Sequence, residues 1–395
     1  MKLVLELSHL PALADLDGML RRLGEAASSL LGAGRAQVYL HEAGTGELWT
    51  VPPSGREERV RAAGGLLAAA LAGNGAVLYR AEEHGPMDEP MRSALAAALR
   101  NVDLTPLGVL VVADKRDGDF TAEDAMLCEL LAEQAAVGIQ RVRLHQAAGQ
   151  AAELRREMEV ARALQAGMSP TAAPRLEDVE AAGWTRPASI TGGDGFDIWS
   201  LPDERLAVFL GDASGHGLPS ALVISQVRTL VRSLSEIRGE PEWLLSRVNA
   251  RLAEDLPDGR FVTAFVAVVE RGGAVRWSSA GQGPVFVFRS PDSPPEVLQA
   301  PAVPLGVTHE LIADSAPAVA LAPGGMLLVA SDGILEARGP GLEMLGPARL
   351  LQVLEEGRGR TAAFVSAAVR QRLEEWQGGA EPTDDQTLVV IRRTA

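Results

Sequence analysis

"LAVFLGDASGHGLPSAL", residues 206–222, joins a strand-like apolar run to a glycine-rich turn and a helix-like tail. Its one aspartate, Asp212, closes the apolar run, and its one histidine, His216, follows four residues later. Three readings are open at this point. Asp212 holds a metal, His216 acts as a ligand or proton donor, or the stretch is simply a tight turn made by its small residues.

The arrangement of Asp212 recurs elsewhere in the chain. Asp194 lies in "TGGDGFD" (191–197), Asp332 closes "MLLVASDG" (326–333), and Asp384 opens "DDQTLVV" (384–390). A hydrophobic strand delivers its terminal residue to a fixed point at the sheet edge. Several carboxylates brought together there would repel strongly unless cations neutralised them. Oxygen donors without cysteine or clustered histidine select hard ions, Mg²⁺ or Mn²⁺. Glycines beside each aspartate leave room for waters and for main-chain approach to a ligand. The expectation is a two-metal hydrolytic site, in which paired ions polarise a phosphoryl oxygen and generate hydroxide near neutral pH. "GDASGHG" lacks the lysine and spacing of a P-loop, and no G-x-S-x-G or H-E-x-x-H occurs. The six histidines (His9, His41, His84, His145, His216 and His309) are scattered, which argues against a histidine metal site.

A chain of 395 residues exceeds what one core usually serves, so two domains are expected. The formal net charge of −15 argues against a nucleic-acid backbone binder, which needs a basic face. Cys128 is the only cysteine, which excludes an intramolecular disulfide and a cysteine metal cage and fits a reducing, cytoplasmic setting. The opening "MKLVLELSHLPALADLDG" carries acids inside its apolar run and makes a poor signal peptide. Ala62 to Tyr79 is uncharged over 18 residues but holds four glycines and an asparagine. It reads as a short buried helix, a "GNG" turn and a strand rather than a membrane span, so a soluble protein with no membrane partner is expected.

The first ~140 residues read as a mixed α/β module. Helix spacing covers Asp15 to Leu31, "AQVYLH", "AVLYR" and "LGVLVVAD" are strand-like, and Thr121 to Leu144 is a long helix. Thr121 and Asp124 form a capping-box pattern at its start. Small or apolar residues then recur at Leu144, Ala147, Ala151, Leu154, Met158, Ala161, Gln165 and Met168, an alternation of three and four that marks a coiled-coil seam. A homodimer through 144–168 is expected, with Pro170 and Pro174 ending the helix. Beyond Pro174 short strands and tight turns dominate. "FVTAFVAVVERGGAVRWSSA" reads as one hairpin and "PVFVFRS" with "EVLQA" as another. "GGMLLVAS" and "QTLVVIRR" read as strands buried on both faces. Helices at Pro219–Ile237, Pro241–Leu256 and Thr361–Trp376 separate these groups, which gives sheets packed on sheets with helices outside.

In order and spacing, "EMEVARALQAGMSP", "RPASITGGDGFD", "LGDASGHGLPSAL", "VN" at Val248–Asn249, "FVTAF", "SAGQGP", "PLGV", "SDGILEA" and "DDQTLVV" resemble the SpoIIE/RsbU-type branch of the metal-dependent (PPM) serine/threonine phosphatases. The likeness covers about Glu157 to Arg393. "LGVLVVADKRDGDFTAEDAMLCELLAEQAAVGIQ" resembles the closing segment of a GAF sensory domain. The resemblance implies an α+β protein with a GAF domain over 1–143, a helical linker over 144–170 and an α/β/β/α phosphatase sandwich over 171–395. It further implies that Asp212 bridges two ions with the Ala213 carbonyl on one of them. Asp332 and Asp384 would hold the second ion, and Asp194 would act directly or through bound water. Asp385, where related phosphatases often carry asparagine, is expected in a supporting role toward Asp384, with Asp197, Gly333 and His216 as further supporting candidates. The nucleophile would be a metal-bridging hydroxide attacking phosphoserine or phosphothreonine in line. His216, four residues beyond Asp212 where a helix begins, is expected to hydrogen-bond at the turn, and Asn249 to be structural.

Three positions depart from the resembled motifs. Gly195 replaces the aromatic of "GGDFYD", Gln282 and Gly283 replace the histidine and asparagine of "AGHNP", and "TDG" is "SDG" here. None removes an expected ligand. The implied function is a signal-regulated phosphatase acting on a phosphorylated partner-switching protein such as a STAS-type anti-anti-sigma factor, with an unknown GAF ligand or signal partner. Two other readings stay open: a pseudophosphatase acting as a ligand-responsive binding module, and a GAF domain that binds a cyclic nucleotide through "ADKRDGDF".

Overall fold

A computed structural model describes residues 16–42, 47–51, 57–61, 64–79, 91–170, 172–257, 259–311 and 316–394. The reading of the N-terminal stretch lies almost wholly outside these residues, as do His9, His84, Arg80 and Thr171. The chain divides into two units, Met1–Leu154 and Arg155–Ala395. Among the described residues no helix is long and apolar enough to cross a membrane.

In the N-terminal unit, α1 (Leu16–Leu30) precedes β1 (Ala33–His41), β2 (Glu47–Thr50), β3 (Glu58–Arg61), α2 (Gly65–Ala72), β4 (Val77–Leu78), β5 (Ala94–Arg100) and β6 (Pro106–Lys115). The strands form one antiparallel sheet in the order β3-β2-β1-β6-β5-β4. Its two faces follow from the period of two. Leu95, Ala97, Leu99, Leu110 and Val112 pack with α1 and with Cys128, Leu131 and Ile139 of helix α3 (Ala122–Met168), whereas Ala94, Ala96, Val109 and Val111 pack with Leu66 and Ala70 of α2. The helix–turn–strand reading of the uncharged stretch holds, with α2 and β4 in their expected places. Strand β5, "ALAAALR", has no strand-like composition, and burial on both faces overrides the helix preference of its alanines and leucines. At the start of α3 the backbone N–H of Thr121 donates to Asp124 at 2.8 Å and that of Asp124 to the Thr121 hydroxyl at 3.3 Å, the reciprocal cap read from the sequence. The two helical stretches read on either side of Leu144 are one continuous helix of 47 residues, ending at Met168.

The C-terminal unit contains two five-stranded antiparallel sheets. The first comprises β8 (Asp194–Leu201), β9 (Arg205–Ala213), β10 (Val262–Val269), β11 (Ala274–Ala280) and β14 (Val319–Ala320). The second comprises β7 (Val179–Arg186), β16 (Gln386–Arg393), β15 (Met326–Ala330), β12 (Val285–Phe288) and β13 (Glu296–Leu298). Both expected hairpins are present, β10 with β11 and β12 with β13. Phe196, Ile198, Leu206, Val208, Leu210 and Phe265 of the first sheet face Val285, Val287, Leu327, Val329, Val389 and Ile391 of the second. Each such side chain contributes roughly 1.5–3 kcal/mol on burial, which holds the sheets face to face. The outer face of the first sheet is covered by α4 (Leu218–Ser235) and α5 (Pro241–Asp255). The outer face of the second is covered by α6 (Asp332–Leu335), α7 (Gly346–Glu356) and α8 (Ala362–Gln377). The result is the expected α/β/β/α sandwich.

Candidate metal centre

The inner row of each sheet changes from apolar to acidic at one end of the sandwich. In β9, Leu206, Val208 and Leu210 face the core, and the next residue of that row is Asp212. In β8, Ile198 and Phe196 face the core, and the next in that row is Asp194, which pairs with Asp212 in the ladder. On the second sheet the inner row of β16 runs from Ile391 through Val389 and Thr387 to Asp385. Asp332 lies two residues past β15, and Asp384 two residues before β16. A Cβ on Gly333 would lie 2.0 Å from the Asp385 carbonyl, so only glycine allows the chain carrying Asp332 to lie against that carrying Asp384 and Asp385.

The electrostatics place these acids in one field. Burial raises the Asp194 carboxyl well above the usual carboxylate range, and the neighbouring Asp212 charge adds to this. Asp212 is pushed up to about 7, first by burial and then by the charges of Asp332, Asp384 and Asp385. Asp332 is raised by burial and by Asp384 and Glu336. Asp194 is 4% exposed and its Oδ2 is buried without a hydrogen-bond partner. Mutually repelling carboxyls with an orphaned buried oxygen fit a hard divalent cation, and the donor set is all oxygen. No three of the described histidine, cysteine, aspartate or glutamate side chains already form an ion cage. Unneutralised carboxylates hold apart, and carbonyl or water oxygens count among the ligands of such ions.

The supporting candidates separate into different roles. The Asp385 carboxylate accepts from the backbone N–H groups of Ala188 at 2.7 Å, of Gly193, and of Asp194 at 3.4 Å, while its own N–H donates to Asp384 at 2.8 Å. It therefore fixes the Gly193–Asp194 turn with its side chain and Asp384 with its backbone. Asp197 is three residues from Asp194 and so faces the opposite side of β8, where it pairs with Arg228 at 2.7 Å and Arg232 at 2.9 Å of α4. It anchors that helix and does not join the acidic cluster. His216 is exposed and makes no hydrogen bond among the described residues. This corrects the expectation of an imidazole bonded at the turn. Gly215 and Gly217, with φ of 91° and 78°, turn the chain by themselves. Asn249 is fully buried and ties Gly306, Thr308 and His309 together through its side-chain amide.

Two residues have roles that sequence reasoning did not assign. Gln165, read only as part of the helical seam, donates to the Gly192 carbonyl at 2.6 Å and accepts from its N–H at 3.1 Å. A polar side chain in an otherwise small or apolar seam was the available signal. Gln282, noted only as a departure, accepts from the Thr263 hydroxyl at 2.6 Å and donates to the Ala330 carbonyl at 2.9 Å. Thr263 pairs with Asp212 in the ladder and Ala330 ends the strand before Asp332, so Gln282 links the two sheets beside the acids.

Two facing antiparallel sheets flanked by helices, with acids closing the inner rows, define a PP2C-like phosphatase fold. The SiaA-PP2C domain of Pseudomonas aeruginosa shares it with a TM-score of 0.54 and 20% identity, over 62% of this chain and 99% of that one. Residues 202–394 match the family described as Stage II sporulation protein E (SpoIIE), and residues 15–141 match the GAF domain family. Over these residues the chain carries a GAF domain followed by a SpoIIE/RsbU-type PPM phosphatase domain. It is 25% identical over 268 residues to Protein IcfG of Synechocystis sp., covering 60% of this chain and 42% of that relative. It is 26% identical over 242 residues to phosphoserine phosphatase RsbU of Bacillus subtilis, covering 61% of this chain and 71% of that relative. The chain thus spans less than half the length of the first of these relatives.

Proposed function

We propose that this protein is a signal-regulated, metal-dependent serine/threonine protein phosphatase. The observation that carries the reading is the convergence of Asp194, Asp212, Asp332 and Asp384 in one electrostatic field at the end of the sandwich. Asp212 would span two ions, with the Ala213 carbonyl on one, Asp332 and Asp384 on the other, and Asp194 direct or through water. Two Mn²⁺ or Mg²⁺ ions, when bound, supply charge neutralisation at the phosphoryl oxygens and activation of the attacking water. The chain's own work is positioning. Asp385 sets the Gly193–Asp194 turn and holds Asp384, Gln282 fixes the spacing between the sheets, and Gly333 permits the close approach of the two acidic segments.

The substrate class that fits is a phosphoserine or phosphothreonine on a small regulatory protein, with a STAS-type anti-anti-sigma factor as the candidate. The activity named for the Bacillus subtilis relative supports the phosphoserine part of this reading. The GAF domain would take a ligand or signal partner. The exposed seam residues Leu144 and Leu154 support pairing of 144–168 with a second copy in the cytoplasm. The test is Mn²⁺-dependent hydrolysis of a generic phosphoester and of a phosphorylated STAS protein by the full chain. Turnover that is lost in Asp212→Asn is expected. Absence of turnover with Mn²⁺ and Mg²⁺ would sink the enzyme reading and leave the pseudophosphatase.

A further inference from the structure

Within the C-terminal unit, the last turns of α3, helix α4, β7 and the start of β8 line a half-open cavity of about 350 Å³. That is near the lower end of the ~300–1,000 Å³ found for small-molecule sites. Gly195 forms part of its wall. A Cβ built there would point at Ile224, with Cγ1 3.0 Å away, and Ile224 lines the same space. A side chain at this strand position would have to displace Ile224, so glycine lets α4 pack close on β8 beside the cavity. The cavity's apolar surfaces come from Trp184, Phe196 and Met168.

The cavity also meets two guanidinium groups, those of Arg162 and Arg228. Arg162 is exposed and has no partner among the described residues. Arg228 shares the single Asp197 carboxylate with Arg232, and its Nε is buried without a hydrogen-bond partner. One carboxylate therefore serves two cations, and with Arg162 the surplus beside the cavity is positive in a chain whose formal net charge is −15. Asp194 closes another part of the wall and disfavours an anion beside it, which directs an anionic head to the arginines. Apolar walls with convergent guanidinium donors suit an apolar body that ends in a carboxylate.

We propose that this cavity is a binding site for a small amphiphilic carboxylate, its ring-sized apolar body lying against Trp184, Phe196 and Met168 and its carboxylate meeting Arg162 and Arg228. Bound there, the ligand touches both the strand that begins with Asp194 and the final turns of α3. The cavity borders the candidate metal centre through Asp194, while none of Asp212, Asp332 and Asp384 lines it.

Titration calorimetry on the metal-free full chain with indole-3-acetate and benzoate, against indole-3-acetamide and benzamide, reads binding without turnover. At least one of the two acids is expected to bind saturably at one site per chain, at least tenfold more tightly than its amide. Arg162→Ala should weaken that acid at least tenfold while leaving the amide within twofold. Ala166→Trp, which fills the cavity from the α3 side, should weaken it at least tenfold. Ala166 and Arg162 are exposed on α3, so both variants test the cavity without disturbing the core. Equal affinity for acid and amide, binding unchanged in Ala166→Trp, or no binding of either acid at millimolar concentration would each overturn the proposal.

Discussion

The two sheets of the sandwich supply acids to the same place by different means. Asp194 and Asp212 belong to strands β8 and β9 and are ladder partners, so hydrogen bonds on either side fix their position. Asp332 and Asp384 lie just beyond β15 and β16 and are exposed. The first pair pays for its rigidity in desolvation, and burial is the leading cause of the raised carboxyls of Asp194 and Asp212. Burial also raises Asp332, but both side chains of the second pair keep a face to solvent. The difference teaches that one sheet builds the fixed half of the candidate centre and the other its accessible half.

Substitution across the two halves breaks this comparison most severely. Asp212→Asn should lower kcat/KM for a phosphoester on the order of 10³-fold, because the carboxylate at the middle of the cluster is lost. Asp384→Asn should cost about 10²-fold and be partly restored by raising Mn²⁺ in the same assay. Equal losses, with no rescue of Asp384→Asn, would remove the distinction between the halves.

Acidity gives the next largest effect. An unfolded aspartate titrates near ~3.9, whereas folded Asp212 is raised to about 7. Between these values the folded state holds the proton more tightly. The contribution of Asp212 to stability is therefore fully present below about pH 4 and is lost as pH rises through 7. Asp194 and Asp332, also raised, act in the same sense. Urea midpoints of the metal-free chain should fall more steeply from pH 5 to 7.5 than those of Asp212→Asn, with Mn²⁺ reversing the fall at pH 7.5. Parallel curves for the two proteins would contradict the buried-repulsion account.

The two faces of β8 make a narrower comparison. Asp197→Asn removes charge-assisted bonds to Arg228 and Arg232 and should cost about 2 kcal/mol of stability, with Mn²⁺ affinity unchanged within twofold. Asp194→Asn should do the reverse, weakening Mn²⁺ at least tenfold with little loss of stability, since it relieves repulsion with Asp212. Calorimetric metal titration with urea unfolding reads both. The sequence alone could separate these two aspartates, because three residues along a strand put them on opposite faces. What it could not supply was the partner waiting on the outer face, since Arg228 and Arg232 lie on a helix 31 and 35 residues further on.

The same limit runs through the rest of the molecule. Strongly patterned segments such as "FVTAFVAVVE" and the four aspartates were legible, because a period of two and an abrupt acid say where a strand ends. "ALAAALR" was not, because its strand state comes from burial on both faces. Gln282 looked like a loss at a motif position, yet its amide satisfies both Thr263 and Ala330. Gln282→Ala should cost about 1–3 kcal/mol by leaving the half-buried Thr263 hydroxyl and the buried Ala330 carbonyl without this partner. It should also weaken Mn²⁺ severalfold, whereas a local packing defect would lower the unfolding midpoint and spare metal affinity.

His216 is expected to give the smallest effect, although it is the most conspicuous residue of the turn. Its neighbours Gly215 and Gly217 carry the left-handed backbone that shapes the chain there, and the imidazole is exposed without a hydrogen bond among the described residues. A general acid or base contributes about 10²–10⁴-fold to a rate, so its loss is easily told from the loss of a bystander. His216→Ala should keep kcat within about threefold, below the range of a proton-transfer role, and should leave the shape of the pH–rate profile unchanged. A hundredfold fall in kcat accompanied by loss of one limb of that profile would return His216 to the chemistry. The centre would then depend on a titrating side chain from the turn as well as on the carboxylates of the two sheets.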